Sequence, residues 1–322
     1  MLDREAEFRI DLRPLIWHGG PNGRDGRDGG ALGEAVVFLK YFENLPDPRQ
    51  LGKVVCPLAE VLLLSLLAVL AGAETFPEMV SAFAARQRLV LGQVKVADKS
   101  NEIVAIPKLL DMLAIEGAIV TIDAMGCQRD IATKIVEKKA DYVLALKGNQ
   151  GSLRQDVEVF VAEQQAAGFK DTTISQDKTV DGDHGRIETR KTTVIHDVAW
   201  LQERHNWPGM KSVVVVESTR EIGDKIETDT RFYITSLAFL AVQLGPIIHS
   251  HWSIENSLHW VLDMIFRDDE CRVRTDNAPA NFTTIKHLAL NLLRRASSKN
   301  SLRARRKVAA WDDDFLASLV AP

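Results

Sequence analysis

The sequence predicts a layered α/β fold with a β-rich insertion, preceded by a small helical unit. Apolar, strand-like runs alternate with helical segments between residues 80 and 170, and several β-rich runs follow between residues 172 and 236. Alternating strands and helices are typical of sheets with parallel strands, whereas consecutive strands favour antiparallel pairing. The last third of the chain returns to helical periodicity, with long segments over 239–266 and 281–295.

The first 78 residues divide into an extension and a helical domain. Half of the residues in GGPNGRDGRDGG, positions 19–30, are glycine, and such a segment buries too little apolar surface to offset its ordering entropy. We therefore expect residues 1–33 to be a flexible extension and residues 34–78 to be a small helical domain. The apolar run 61–73 is shorter than the roughly 20 residues that cross a bilayer, so it predicts a buried helix and no membrane anchor.

The alternating region contains a regular series of elements. Two β-rich runs that meet near Gln87 predict a hairpin. The elements that follow are a helix over 101–114 that contains Pro107, the strand GAIVTIDA, a helix over 128–138, the strand DYVLAL and a helix from Ser152.

Composition excludes several classes of protein. With 322 residues, 46% hydrophobic and 26% charged, the chain has the balance of a folded globular protein. A net charge of −4 argues against a uniformly basic nucleic-acid binder but allows a local basic patch. The three cysteines have no CxxC spacing, so they predict neither a disulfide framework nor a zinc–thiolate site, and a cytoplasmic location is expected.

A basic segment stands out near the end of the chain. Residues 281–310 contain eight Lys or Arg and no Asp or Glu. This segment is either a solvated helix with a charged tail or a surface that contacts phosphates.

Three motifs could carry chemistry. Asp123 ends an apolar strand, where ligands collect in open α/β sheets, although by spacing alone a loop or helix-capping role is favoured. His251, Glu255 and His259 recur at intervals of four, which places them on one face of a helix as metal ligands or as a buried polar seam. ALKGNQGSL, around Lys147, is either a phosphate-binding turn or a simple connector.

Longer motifs resemble bacterial insertion-sequence transposases of the DDE superfamily, in the group of H-repeat-associated proteins. The resemblance rests on VSAFAARQRLVLGQVKV, GAIVTIDAMGCQRDIATKIVEKKADYVLALKGNQGSL, DHGRIETR, HWSIENSLHWVLDMIFRDDECRVR and NFTTIKHLALNLLRR, and it covers residues 37–297. It implies an RNase H-like catalytic domain over 79–297, with a β insertion over 172–236, followed by a basic tail over 298–322.

The resemblance also implies functional residues and partners. Asp123 matches the second catalytic aspartate and Glu255 the glutamate, so both would hold Mg²⁺ or Mn²⁺ for two-metal cleavage of DNA. The implied partner is double-stranded DNA at the ends of the element, in a nucleoid-associated protein that could form a homo-oligomer. The residues that we expect to contact DNA are Lys147, Asn149, His251, Trp252, Lys286, Arg294 and Arg295.

One departure from the family is decisive. The family has its first aspartate in an Asp-Gly-Lys motif on the opening core strand, but this chain has no such motif and no Asp between Asp47 and Asp98. We therefore expect that the first core strand was lost near Met79, leaving uncovered apolar surface, low stability and no strand cleavage. Neither Glu78 nor Asp98 is an expected substitute, and His249 stands where the family has an arginine.

Three functional hypotheses remain at this point. The chain is a transposase that has become inactive, a non-catalytic remnant that binds DNA through its basic segment, or a metal hydrolase that uses His251, Glu255 and His259.

Overall fold

The computed structural model describes residues 8–11, 45, 58–71, 79–96, 102–183, 186–223, 225–267 and 278–320. The chain divides into two compact units. Unit 1 comprises Met1–Pro14, Met79–Gln87 and Leu91–Glu255, and unit 2 comprises Leu15–Glu78, Arg88–Val90 and Asn256–Pro322. Each unit combines segments that are distant in the sequence, and one division between them falls between Glu78 and Met79.

Unit 1 is built on one mixed sheet. Its strands are β1 (Phe8–Asp11), β2 (Met79–Ala84), β3 (Leu89–Lys95), β4 (Ile119–Ile122), β5 (Asp141–Leu146), β6 (Ile174–Asp183), β7 (Arg186–Ile195), β8 (Ser212–Ile222) and β9 (Lys225–Thr235). The order across the sheet is β3-β2-β1-β4-β5-β9-β8-β7-β6. Strands β1 and β2 are parallel, as are β4 and β5, whereas β1–β4, β5–β9, β9–β8, β8–β7 and β7–β6 are antiparallel.

The helices largely follow the sequence prediction. Those of unit 1 are α2 (Glu102–Met112), α3 (Arg129–Glu137), α4 (Gly151–Ala166), α5 (Ala199–His205) and α6 (Ala241–His251). Those of unit 2 are α1 (Leu58–Ala71), α7 (Trp260–Phe266), α8 (Ala278–Arg295), α9 (Leu302–Ala309) and α10 (Asp313–Val320). No helix among the described residues is both long and apolar enough to cross a membrane.

Apolar residues lie on both faces of the unit 1 sheet. On one face, Val120 and Ile122 of β4 belong to the core that includes buried residues of α2, α3, α4 and α5. On the other, Ile119 belongs to a core that includes Ala241, Leu244 and Ile248 of α6. Because side chains alternate along a strand, Thr121 follows Ile119 on the α6 side, and Asp123 continues that series beyond the strand end.

The β-rich insertion is confirmed as four antiparallel strands, β6 to β9, with α5 inside it. The strands are buried where they join the rest of the sheet and exposed at the far ends of both hairpins. The insertion therefore extends the central sheet directly, through the pairing of β5 with β9.

The expectation of a vacant central strand position is wrong. Residues Phe8–Asp11, which we assigned to a flexible extension, form β1 between β2 and β4. The backbone between β2 and β4 is therefore paired. Glu78 and Asp98 lie outside the described residues.

The long helical segment predicted over 239–266 is helical over most of its length but is interrupted. Helix α6 ends at His251, a π-helical segment occupies Glu255–His259, and α7 begins at Trp260. A π segment takes more residues per turn than an α-helix, so the spacing of four no longer keeps side chains on one face.

Candidate active site

Asp123 lies at the end of β4, at the carboxyl edge of the parallel β4–β5 pair. Its Oδ1 accepts a hydrogen bond from the backbone N–H of Met125 at 3.2 Å, which fixes the carboxylate over the turn that follows the strand. A methyl group at Gly126 would lie 2.3 Å from Cγ2 of Ile122 and 3.0 Å from Cδ1 of Ile106. The turn after Asp123 therefore requires glycine at position 126 because the core packs directly against its backbone.

Burial raises the pKa of Asp123 above its ordinary value. The backbone N–H groups of Gly126 and Met125 and the ammonium group of Lys147 act in the opposite direction, since they stabilise the carboxylate. A half-buried carboxylate with a raised pKa is destabilised in its ionised form, and a bound cation would relieve that cost.

The segment after β5 closes over the Asp123 turn. Asn149 donates from Nδ2 to the carbonyl oxygen of Ala124 at 2.5 Å, and Gln150 donates from Nε2 to that of Cys127 at 3.0 Å. Lys147 is exposed beside these contacts. Asn149, expected to contact DNA, thus has its amide group committed to holding this turn.

A buried hydrogen bond joins the strand that ends at Asp123 to the helix that precedes Glu255. The hydroxyl of Thr121 lies 2.9 Å from Nδ1 of His251, and both side chains are buried. Thr121 is two residues before Asp123, and His251 is four residues before Glu255. The contact therefore fixes α6 against β4 close to both carboxylates, and sequence reasoning did not identify Thr121 although it is a polar residue in an apolar strand.

Glu255 is the exposed first residue of the π-helical segment. π-helical turns are frequent at functional sites, where they change the direction of a side chain within a helix. Among the residues that the structure describes, no group of three His, Cys, Asp or Glu side chains is arranged to hold a metal ion. The π-helical turn breaks the spacing of four, and the described residues contain no such group, so the structure does not favour the hydrolase with a His251, Glu255 and His259 ligand set.

Charged residues of the insertion act on both Trp252 and His249. The guanidinium of Arg231 lies 4.7 Å from the centre of the Trp252 ring, and Arg231 also pairs with Asp229 at 2.5 Å. Burial, followed by the charge of Arg190, lowers the pKa of His249. An imidazole with a lowered pKa therefore stands at the position where the resemblance led us to expect an arginine.

In unit 2, half of the eight cations of the basic segment are engaged with the protein itself. Lys286 is fully buried, with its ammonium 5.4 Å from the ring of Phe282. The other three donate to backbone carbonyl oxygens: Arg294 to those of Arg88 and Ser257, Arg305 to those of Leu293, Ser298 and Asn300, and Arg306 to those of Val69 and Ile265.

The other four cations of this segment are exposed. They are Arg295, Lys299, Arg303 and Lys307. Arg303 and Lys307 are one turn apart on α9, so they extend from neighbouring positions of the same helix. Four of the eight cations are therefore exposed to solvent, where they could contact phosphates.

Comparisons with known proteins agree with this architecture. The family model described as a transposase DDE domain matches residues 77–292. The H repeat-associated putative transposase YhhI of Escherichia coli K12 is 39% identical over 251 residues, which cover 76% of this chain and 65% of that relative. The putative transposase YncI of Escherichia coli O157:H7 is 40% identical over 248 residues, which cover 76% and 63% of the two chains. The matched region thus spans less than two thirds of these relatives.

Proposed function

Since the chain belongs to the family of transposases with a DDE domain, we propose that it binds double-stranded DNA at insertion-element ends but does not cleave it. Asp123 and Glu255 are the catalytic carboxylates that remain, and they are the proposed ligands of a divalent metal ion. The family implies the use of divalent metal in general, and Mg²⁺ or Mn²⁺ suits such oxygen ligands.

The direction of β1 carries the proposal of inactivity. Strand β1 occupies the central position but runs antiparallel to β4, so Asp11 pairs with Ile119 at the start of β4. Asp123 follows the other end of β4, beyond Ile122, which pairs with Phe8. Four residues of strand span about 13 Å, too far for Asp11 and Asp123 to share a metal ion.

The remaining carboxylates do not suit two-metal chemistry. Two adjacent metal ions are usually held by a set of shared and separate ligands, and Asp123 and Glu255 supply only two carboxylates. Within the described ranges no third His, Cys, Asp or Glu completes the group. The described residues therefore suit at most one hard cation.

The proposed DNA-binding surface of unit 2 is the exposed set Arg295, Lys299, Arg303 and Lys307. In unit 1, Lys147 is exposed close to Asp123. Exposed arginine and lysine side chains can neutralise phosphates and release counterions, which provides affinity with little sequence preference. Lys286, Arg294 and Asn149 are left out of this proposal because their side chains are buried or engaged within the protein.

Inactivity is tested with the full chain and DNA that carries the inverted repeats of the element, in Mg²⁺ or Mn²⁺. We expect no nicking or strand transfer, with the chain and with its Glu255→Gln variant alike. Cleavage by the chain that Glu255→Gln abolishes would show that the site is active and that another residue supplies the third ligand.

The DNA-binding surface is tested by salt dependence. The double variant Arg303→Gln/Lys307→Gln should lower the slope of log K against log salt by up to about 2, since each phosphate contact contributes about 0.9. The matched control is Lys170→Gln/Lys225→Gln, which removes two exposed lysines of unit 1 and should leave the slope unchanged. Equal slopes for the parent and the α9 variant would remove this surface from the proposal.

A further inference from the structure

The strand at the centre of the unit 1 sheet comes from a distant part of the chain. Strand β1 ends at Asp11 and β2 begins at Met79. β1 nevertheless pairs with both neighbours in a defined register, Arg9 with Phe83 of β2 and with Thr121 of β4. The segment at the centre of this sheet is thus joined to the next strand, β2, only through a long connection.

Both neighbours of β1 need a partner. Ala82, Phe83 and Ala84 of β2 and Ile119 and Ile122 of β4 are among the buried residues that border this position. Because these residues are buried, their backbone N–H and C=O groups need hydrogen-bond partners within the protein. An unpaired buried backbone group costs free energy comparable to a lost hydrogen bond. The position between β2 and β4 is therefore a groove with hydrogen-bonding groups on both of its sides.

The groove places little constraint on the direction of the strand that fills it. Strand β1 is parallel to β2 and antiparallel to β4, so β2 and β4 run in opposite directions. Any strand inserted between them makes one parallel and one antiparallel pairing, whichever way it runs. Both kinds of pairing satisfy backbone groups, and the difference in stability per residue between them is slight.

We propose that β2 and β4 form a strand-binding groove, and that its occupant is the chain's own segment 8–11, bound as a replaceable strand. Recognition is by main-chain hydrogen bonds on both sides, the mode in which an extended peptide is added to a sheet. The short length of β1, four residues, makes it an exchangeable occupant. The proposal concerns folding and strand exchange and does not depend on the proposed function.

Occupancy and register are tested by cysteine pairs in the full chain with Cys56, Cys127 and Cys271 replaced by alanine. Ile10 lies opposite Val120, so Ile10→Cys/Val120→Cys should form a disulfide within one chain. The control pair, Ile10→Cys/Ile122→Cys, is displaced by two residues, beyond the Cα separation that a disulfide bridges. Absence of the first disulfide, equal yields from both pairs, or a bond between two chains would overturn the proposed occupant.

Replaceability is tested by hydrogen exchange. Ile10→Pro removes an N–H from the middle of β1 and should speed amide exchange at Ala82–Ala84 and Val120–Ile122 by at least tenfold. A synthetic peptide of residues 5–14 should restore slow exchange in a dose-dependent manner, while Gly26→Pro should have no effect. Unchanged exchange in Ile10→Pro, or no restoration by excess peptide in a folded variant, would contradict the proposal. If Ile10→Pro does not fold, the same peptide, added in excess to the Ile10→Cys/Val120→Cys variant before oxidation, must displace β1 and lower the yield of the disulfide, or the proposal fails.

Discussion

The two halves of the unit 1 sheet are assembled in different ways. The half that contains Asp123 is built from short strands, and its central member, β1, has four residues that come from the distant start of the chain. The other half consists of β6, β7, β8 and β9, which have 10 or 11 residues each. Strands β6 and β7, and likewise β8 and β9, follow each other directly as hairpins.

The difference shows that the candidate site lies in the half that depends on non-local pairing. Hairpin strands meet after a short loop, whereas β1 must be brought to β2 and β4 across a long connection, at a larger cost in loop entropy. Packing contacts around Asp123 therefore have to offset the larger loop entropy cost of the long connection. Substitutions in this half should be costlier than equivalent substitutions in the hairpin half.

The largest effect is expected at Gly126. Gly126→Ala forces a methyl group against Ile122 and Ile106, and such overpacking typically costs about 1–3 kcal/mol. The control in the hairpin half is Gly182→Ala, whose added Cβ would meet nothing closer than the Arg186 carbonyl oxygen at 4.0 Å. Urea denaturation measures both, and equal free energies of unfolding would show that the Asp123 turn tolerates a side chain.

A smaller loss is expected from Thr121→Val. This change removes the hydroxyl that lies 2.9 Å from Nδ1 of His251 and should lower the free energy of unfolding by about 1 kcal/mol. It should also weaken Mn²⁺ binding, measured by titration calorimetry, because α6 is no longer fixed next to β4. Thr192→Val is the matched control, a buried threonine of β7. A stability loss for both variants alike, with Mn²⁺ affinity retained, would assign Thr121 a purely packing role.

The smallest effects, of opposite sign, are expected at two aspartates. Burial raises the pKa of Asp123 above that of an ordinary aspartate. The folded protein therefore loses stability as the pH rises above the ordinary pKa, because Asp123 ionises more readily in the unfolded chain. Asp123→Asn should therefore stabilise the protein at pH 7 by about 0.5 kcal/mol. Hydrogen bonds from Thr173 and Thr172 lower the pKa of Asp197. The ionised Asp197 therefore stabilises the folded protein at any pH above the ordinary pKa of an aspartate, and this stabilisation is lost as the pH falls through the lowered pKa.

Thermal melts between pH 3 and pH 7 measure these two contributions. Asp197→Asn should destabilise the protein at pH 7, and the difference from the parent should disappear at low pH. The advantage of Asp123→Asn should likewise vanish at low pH, where Asp123 is protonated in both folded and unfolded chains. A destabilised Asp123→Asn variant at pH 7 would mean that hydrogen bonds to the carboxylate outweigh its burial.

Most regular elements were predictable because they follow from local pattern. The helix over 128–138 is found as Arg129–Glu137, and the strand DYVLAL as Asp141–Leu146. Pro107 lies within α2 without ending it. The motifs that indicated the transposase family, around Asp123 and Glu255, are likewise continuous in sequence.

Features that depend on distant contacts were not predictable in the same way. FRID, residues 8–11, has no signal that distinguishes it from the rest of the extension, because a four-residue strand is defined by its partners and not by its own pattern. The π-helical segment at Glu255 interrupts a sequence whose spacing of four is typical of an α-helix.

The sequence alone determined the family and the series of elements along the chain, and it is the source of the proposal that Asp123 and Glu255 are the remaining catalytic carboxylates. The tertiary structure decided which segment occupies the centre of the sheet and which four cations of the basic segment are exposed. It also decided that Asp11 lies opposite the start of β4 and not opposite the end that leads to Asp123. The physical reason is the same in each case. Helices, turns and motifs arise from neighbours in sequence, whereas strand pairing and side-chain burial are decided by residues that meet only after the chain has folded.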